Sequence, residues 1–260
     1  MKLTLMVLFV GLALGQTPAG DNVRGTLAFR HIETELEVQT IAKIVQQTAA
    51  IRDLSVDTAA GTVTLSGASD QMALAEWLFH ELDRPPMPSP APATHEFGMP
   101  VRVPGGSDEV VKVFYLAHAD QQTITDITMA LRPVADIPRL FSYDTRRILV
   151  ARGTADRIVV AEWIIHELDQ LPSQIKPGAA HDYPSPLRLP GRSGDLVKVF
   201  YLAHADNIQV LINMVQAIRT IAGVSRVYPI YLRRAVVLCA SADQVARAER
   251  VVRDRDQPGK

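Results

Sequence analysis

Residues 111–120 read VKVFYLAHAD, and residues 197–206 repeat them letter for letter. Ten identical residues at a spacing of 86 are not a coincidence, so this chain of 260 residues contains a duplicated unit. The apolar, β-branched start of the segment favours a strand, and its final aspartate favours a helix cap. Any residue considered for function must therefore be compared with its counterpart in the other copy.

The same spacing links two further pairs of segments. Residues 75–83 (AEWLFHELD) match residues 161–169 (AEWIIHELD), and residues 95–97 (HEF) match residues 181–183 (HDY). The first module keeps the second half of the pattern, the third keeps the first half, and the middle one carries both. The chain is therefore expected to contain three modules.

The middle module predicts the order of its elements. A strand over 110–116 leads to a helix that Asp120 caps and that Arg132-Pro133 ends, because a proline ring cannot continue the ladder. Two short strands over 140–143 and 148–151 then form a hairpin. A second helix follows, with Thr154 as its cap. The order β-α-β-β-α places the chain in the α+β class.

The other modules repeat this order. In the third, Asp206 and Gln209 have capping-box spacing, as do Ser241 and Gln244, and Gly223 is placed to close the first helix. In the first, Gly61 is expected in the hairpin turn, and residues 25–32 are expected to form the opening strand. Two helices would cover one sheet face of each module and leave the other face free for partners. The predicted segments are a signal peptide at 1–15, modules at 25–84, 109–170 and 195–257, and linkers at 85–108 and 171–194. The first linker is proline-rich and expected to be extended, whereas the second has fewer prolines and is expected to bend more while remaining non-helical.

The N-terminus is typical of an exported protein. Lys2 precedes an uncharged apolar run over 3–14, and small residues at positions 13 and 15 suit signal peptidase. The run is too short to span a bilayer, so the mature protein is expected to be exported and not to span the membrane. The acidic first module (five basic and ten acidic residues over 16–84) and the basic third (ten and six over 195–260) suggest end-to-end contact or an anionic partner.

The sequence contains no recognisable catalytic, metal or cofactor motif. Six of the seven histidines are repeat pairs (His80 and His166, His95 and His181, His118 and His204), so duplication explains their number. The single cysteine, Cys239, lies in an apolar strand and is expected to be a small buried residue. No phosphate-binding loop follows a strand. We therefore expect a noncatalytic protein without cofactor or metal.

The repeated pattern resembles the N-terminal modules of bacterial secretins. The likeness rests on the strand-to-helix step at 113–120, the hairpin end LVARGT at 149–154 and the helix end ELD at 81–83 and 167–169. It covers nearly all of the mature chain. It implies short, NolW-like ring-building domains of type II and III secretion and type IV pilus secretins, which bind protein partners in the periplasm. A secretin continues into a β-rich pore region, whereas this sequence ends at Lys260 after the last helix, so we do not expect it to form a pore itself.

Two other families share parts of the pattern. Residues 61–67 (GTVTLSG) are similar to the strand signature of BON domains, which implies an envelope protein that binds lipid or protein surfaces. The chain order is also similar to that of KH domains, but no module has the Gly-x-x-Gly loop that clamps RNA, so nucleic acid is not expected as a partner.

The sequence thus predicts a protein of the cell envelope that works by protein–protein contact near a secretion or pilus system, with partners from that machine or a second copy of itself. The alternative is a BON-like surface-binding protein. The candidate interaction surface consists of two tryptophans at equivalent helix positions and three arginines of the basic third module: Trp77, Trp163, Arg233, Arg234 and Arg250.

Overall fold

The computed structural model describes residues 22–32, 34–85, 93–103, 106–188 and 191–258. The predicted signal peptide and most of the first proline run lie outside these ranges. The strands are β1 (Asn22–Ala28), β2 (Asp53–Asp57), β3 (Thr62–Ala68), β4 (Ala93–Glu96), β5 (Val110–Tyr115), β6 (Arg139–Tyr143), β7 (Ile148–Gly153), β8 (Ala180–Asp182), β9 (Leu196–Tyr201), β10 (Arg226–Ile230) and β11 (Ala235–Ala240). The helices are α1 (Glu35–Ala49), α2 (Ser69–Leu82), α3 (Gln121–Val134), α4 (Ala155–Leu168), α5 (Ile208–Ile221) and α6 (Ala242–Arg255).

The α+β prediction is confirmed: six helices and three small antiparallel sheets make up the described part of the chain. The strand orders are β1-β3-β2, β4-β5-β7-β6 and β8-β9-β11-β10. Each module therefore has its first strand beside its last one, and the hairpin closes the sheet. The two identical segments take up the same register, because Phe114 pairs with Leu149 and Phe200 pairs with Val236.

The segments between modules take part in the sheets. Residues 93–96 form β4, which pairs with β5, and residues 180–182 form β8, which pairs with β9. A short 3₁₀ turn over Pro172–Gln174 also interrupts the second segment, which was expected to bend but to remain non-helical. The strands form here because β5 and β9 would otherwise leave a row of unpaired backbone groups at the sheet edge.

Two predicted helix boundaries are wrong. Helix α3 continues through Pro133 to Val134, one residue beyond the proline that was expected to end it. Helix α5 is capped by Asn207, whose side chain accepts from the backbone N–H of Val210, and Asp206 instead pairs with Arg234 at the surface. One additional residue at this point changes the repeat spacing from 86 to 87 for the rest of the third module.

The modules stack, and this corrects the expectation of free sheet faces. On β5, Phe114 points into its own module, whereas Val113 joins a cluster with α1 and α2 of the first module. On β9, Phe200 packs on its own helices, whereas Val199 joins a cluster with α3 and α4 of the second module. The sheets of modules 2 and 3 are thus buried on both faces. Within the described residues, only the sheet of module 1 keeps an open face.

Candidate interaction surfaces

A cluster of three polar side chains, two of them buried, marks the contact between modules 1 and 2, here called joint 1. The Tyr115 hydroxyl donates to the Glu81 carboxylate (2.9 Å) and lies 3.0 Å from the Glu81 carbonyl oxygen. His95 Nδ1, from edge strand β4, lies 2.8 Å from the same carboxylate oxygen, Oε2. Burial, and then the neighbouring Glu81 carboxylate, raise the pKa of the Tyr115 hydroxyl well above its ordinary value. Tyr115 therefore stays a hydrogen-bond donor at neutral pH.

The contact between modules 2 and 3, joint 2, repeats this cluster residue for residue. The Tyr201 hydroxyl donates to Glu167 (3.0 Å to the carboxylate and 2.8 Å to the carbonyl oxygen), and His181 Nδ1 lies 2.5 Å from the carboxylate. Residues 86 positions apart thus make the same contacts between modules, in addition to the same fold within each module. The repeated histidines of the HEF and HDY segments serve these contacts.

The two candidate tryptophans lie at the same joints. Trp77 on α2 packs on Phe97, with ring centroids 5.4 Å apart, and Trp163 on α4 packs on Tyr183 at 5.6 Å. Both tryptophans are half-buried. Each therefore anchors the segment that leads into the next module, and its remaining exposed edge is the part that could contact another protein.

An aspartate at the end of each second helix fixes the loop between strand and first helix. Asp169 accepts from three backbone N–H groups, those of Ala117, His118 and Ala119, at 2.7–2.8 Å. Asp83 and Asp256 accept from two N–H groups each in their own modules. The ELD signature is therefore structural. The backbone N–H of His31 donates to Asp83 as those of His118 and His204 donate to Asp169 and Asp256. His31 therefore holds the equivalent position in module 1, and all seven histidines belong to the repeat pattern.

Arg233 does not lie on an outer surface, which corrects its prediction as a surface residue. Its side chain is buried at joint 2, with the residue 5% exposed, and it donates to the carbonyl oxygen of His118 in module 2 (2.9 Å). Its equivalent Arg146 donates across joint 1 to the carbonyl oxygen of His31 (3.1 Å). In both modules this arginine lies in the hairpin turn and its side chain reaches the preceding module. The excess of basic residues in the third module did not indicate such a buried position.

Arg234 and Arg250 remain at the surface. Arg234 adopts the left-handed backbone conformation of a hairpin turn (φ 48°) and pairs with Asp206 at 3.2 Å. Arg250 lies on α6 six residues before Asp256, the position that Trp77 and Trp163 hold on α2 and α4. Its guanidinium makes no hydrogen bond or ion pair with any described residue. A module that followed at this end would meet an arginine where earlier modules meet a tryptophan.

The two ends of the stack differ in chemistry. At the open sheet face of module 1, the outward side chains of β3 are Thr62, Thr64 and Ser66, and Thr64 shares a hydrogen bond with Thr26 (3.1 Å). At the other end, α5 and α6 enclose a groove of about 740 Å³. Its lining combines apolar side chains and arginines: Val210, Asn213, Met214, Ile221, Arg247, Arg250, Val251, Asp254 and Arg255.

The described residues offer little reactive chemistry. They contain no group of three or more His, Cys, Asp or Glu side chains placed to hold a metal ion. Burial, and then the nearby Asp195 carboxylate, raise the pKa of the Cys239 thiol to about 11, so the thiol stays protonated at neutral pH. None of the helices in the described ranges is long and apolar enough to cross a bilayer.

No protein-family model and no curated protein matches the sequence. Among solved structures, the chain is similar to the N-terminal domain of the secretin XcpQ from Pseudomonas aeruginosa, with 12% identity and a TM-score of 0.24 over 58% of this chain and 63% of that one. It is also similar to Aeromonas hydrophila ExeD, with 12% identity and a TM-score of 0.21 over 90% of this chain and 41% of that one. For a structure of XcpQN012 the identity is 10% and the TM-score 0.28, over 91% and 99% of the two chains.

The chain thus spans less than two thirds of the length of the first two structures. Secretins are the family that the sequence resemblance named.

Proposed function

We propose that this protein is a noncatalytic assembly component of the cell envelope, which works by protein–protein contact beside a secretion or pilus machine. The observation that carries the proposal is the use of the repeated polar residues. Glu81, His95 and Tyr115 bind one another across joint 1, and their counterparts do the same across joint 2. A catalytic group would need to face a substrate, whereas these groups hold modules together.

Support for a binding role comes from the ends of the stack. Terminal repeats of stacked arrays need polar outer faces to remain in solution. The Thr- and Ser-rich face of module 1 meets this need, but the α5–α6 end exposes Ile221 at the edge of an apolar groove. An exposed apolar surface rimmed by polar groups is typical of a protein interface.

Photo-crosslinking in the native cells tests this function. A photoreactive amino acid replaces Arg250, which lines the groove, or Lys43, an exposed residue of α1 that serves as the control. We expect crosslinks to envelope proteins of a secretion or pilus system from position 250 and few from position 43. Crosslinked products that contain only enzymes or only cytoplasmic proteins would reject the proposal.

Export is tested separately. The full-length chain is expected in the periplasmic fraction, cleaved before Gln16, whereas Leu8→Arg in the apolar run should retain it inside the cell. Cell fractionation and mass spectrometry of the N-terminus give the result. An uncleaved, cytoplasmic wild-type chain would contradict the proposed location.

One observation favours the BON-like alternative. The residues that carry this similarity, 61–67, form the turn and most of β3, whose outer side is the one open sheet face of the described chain. Under this alternative the face of Thr62, Thr64 and Ser66 would contact a lipid surface. Co-sedimentation of the purified protein with anionic liposomes distinguishes the two functions, because an assembly protein should stay in the supernatant.

A further inference from the structure

The groove between α5 and α6 occupies the positions that receive a sheet at the two internal joints. Val134, the last residue of α3, is fully buried at joint 2, whereas Ile221, the last residue of α5, is 55% exposed. Thr123 is buried as the third residue of α3, and Val210, the third residue of α5, lines the groove. In modules 1 and 2 the two helices pack against the sheet of the next module. Module 3 has the equivalent helix surface, and no described residue of another module covers it.

The floor of the groove suits an apolar partner surface. Val251, the tenth residue of α6, corresponds to Ile164 of α4, which is buried in the cluster that packs against β9 and β11. Met214 and Ile221 extend this floor along α5. At both internal joints the covering surface is an antiparallel sheet with alternating apolar side chains, such as Val197, Val199 and Tyr201 on β9. A sheet face of this kind fits the floor.

The rim of the groove suits carboxylates. Val160 of α4 is replaced on α6 by Arg247, and Trp163 by Arg250. Arg247 donates to the carbonyl oxygen of Ala222 (3.2 Å) and closes the end of α5 within its own module. The guanidinium groups of Arg250 and Arg255 make no hydrogen bond or ion pair with described residues, while Asp254 is the acidic member of the rim. Three arginines and one aspartate give the rim an excess of positive charge beside an apolar floor, which favours a partner with acidic groups at its margin.

We propose that the α5–α6 groove is the docking site for a partner protein that presents an apolar β-sheet face with carboxylates at its margin. The proposal rests on the proposed function and names the surface and the partner chemistry. The wild-type chain itself is a poor occupant, because the open face of its module 1 carries threonine and serine where the covered sheets carry valine, isoleucine and tyrosine.

The full-length chain can be converted into the probe. Thr26→Val, Thr62→Val and Thr64→Val together give module 1 an apolar sheet face, while Asp53 and Asp57 remain on neighbouring strand β2 as carboxylates. The Thr26–Thr64 hydrogen bond loses both partners at once, which costs little. Sedimentation velocity with labelled wild-type protein and unlabelled probe measures the binding. We expect wild-type protein alone to stay monomeric and the probe to bind it.

Variants of the labelled protein locate the binding. Ile221→Asp should abolish it, and Arg250→Glu should weaken it on the order of tenfold. The matched controls are Ile208→Asp, an exposed isoleucine at the other end of α5, and Arg253→Glu, an exposed arginine of α6 outside the groove. Both controls should bind as wild type does.

Absence of binding by the probe, or equal binding to Ile221→Asp and wild type, would overturn the docking site. Equal losses in a groove variant and its control would do the same. If Ile221→Asp fails to fold by circular dichroism, Arg250→Glu still decides the question. Failure of this binding assay, together with crosslinks from position 250 to envelope proteins, would reject the proposed partner chemistry and leave the proposed function standing. Absence of those crosslinks would count against the proposed function itself.

Discussion

The two joints have the same geometry and different chemistry. At joint 1, Tyr143 donates to Glu37 (2.8 Å), and Arg152 reaches Glu109 (2.6 Å) and the carbonyl oxygen of Thr48 (2.5 Å). At joint 2, Ile230 stands in place of Tyr143, and Cys239 stands in place of Arg152. Both of these residues lie in the apolar cluster between modules 2 and 3. At these two positions joint 1 carries a tyrosine and a charged arginine, whereas joint 2 carries hydrocarbon and a thiol.

This difference shows which part of a joint the stacking geometry requires. The Glu–His–Tyr cluster and the tryptophan contact occur in both joints, so they define the arrangement. The Arg152–Glu109 pair has no counterpart at joint 2. Joint 2 instead buries the Asp126 carboxylate against the backbone N–H of Tyr231. A buried charge costs desolvation free energy that only its partners offset. Burial lowers the pKa of the Arg152 guanidinium, and the Glu109 carboxylate opposes this shift. We therefore expect joint 1 to be more sensitive to the loss of a single partner.

The largest expected effect separates the joints directly. Arg152→Ala leaves the Thr48 carbonyl and the Glu109 carboxylate without their buried partner, and should lower the free energy of unfolding by about 3–5 kcal/mol. The matched change at joint 2, Cys239→Ala, removes one sulfur atom and should cost about 1 kcal/mol. Urea unfolding followed by circular dichroism measures both. Equal losses would contradict the contrast between the joints.

A second pair of variants tests what the joints share. Tyr115→Phe and Tyr201→Phe each remove the hydroxyl that donates to a buried glutamate, and each should cost about 1–2 kcal/mol. Because the contact distances are nearly the same, the two losses should agree closely. Urea unfolding again gives the values, and a large loss at one joint alone would show that the repeated cluster does not act equally in both.

The two joints should differ in the sign of their pH dependence. Burial raises the pKa of the Asp126 carboxyl at joint 2, so its effect on stability becomes unfavourable as the pH rises, whereas Glu37 at joint 1 behaves in the opposite way. The hydrogen bond from Tyr143 lowers the pKa of the Glu37 carboxyl, and burial only partly opposes this. Its contribution is therefore complete above the ordinary carboxyl pKa and is lost as the pH falls through the lowered pKa. Glu37→Gln should cost on the order of 1 kcal/mol at neutral pH, and the difference from wild type should vanish in strong acid. Thermal melts across this range measure it, and Glu35→Gln on the exposed side of α1 is the control.

The smallest effect concerns the helix that follows the repeated segment. Asn207→Ala removes the side chain that caps α5 and should cost about 1 kcal/mol. Asp206→Ala removes an exposed pair with Arg234 and should cost less than about 0.5 kcal/mol. Thermal melts of the two variants rank them. The reverse order would restore Asp206 as the cap, as the sequence repeat predicted.

Local signals predicted much of each module. Ser241 and Gln244 form the capping box, and Gly61 and Gly223 adopt the left-handed conformations their positions implied. The joints escaped prediction because their members are far apart in the chain: Glu81 and Tyr115 are separated by 34 residues. The repeats of HEF and HDY were visible, but segments of three or four residues beside prolines have no periodicity that identifies an edge strand.

The sequence by itself determined the tandem design, the β-α-β-β-α order and the α+β class. The repeat is visible as identical letters, and the periodicity and caps that define each element depend on residues close together in the chain. Tertiary structure alone decided that the modules stack, that Arg233 points inward, and that the open surfaces are a polar sheet at one end and an arginine-rimmed groove at the other. The physical reason is burial: alternating side chains give every strand two faces, and only packing decides which faces are removed from water.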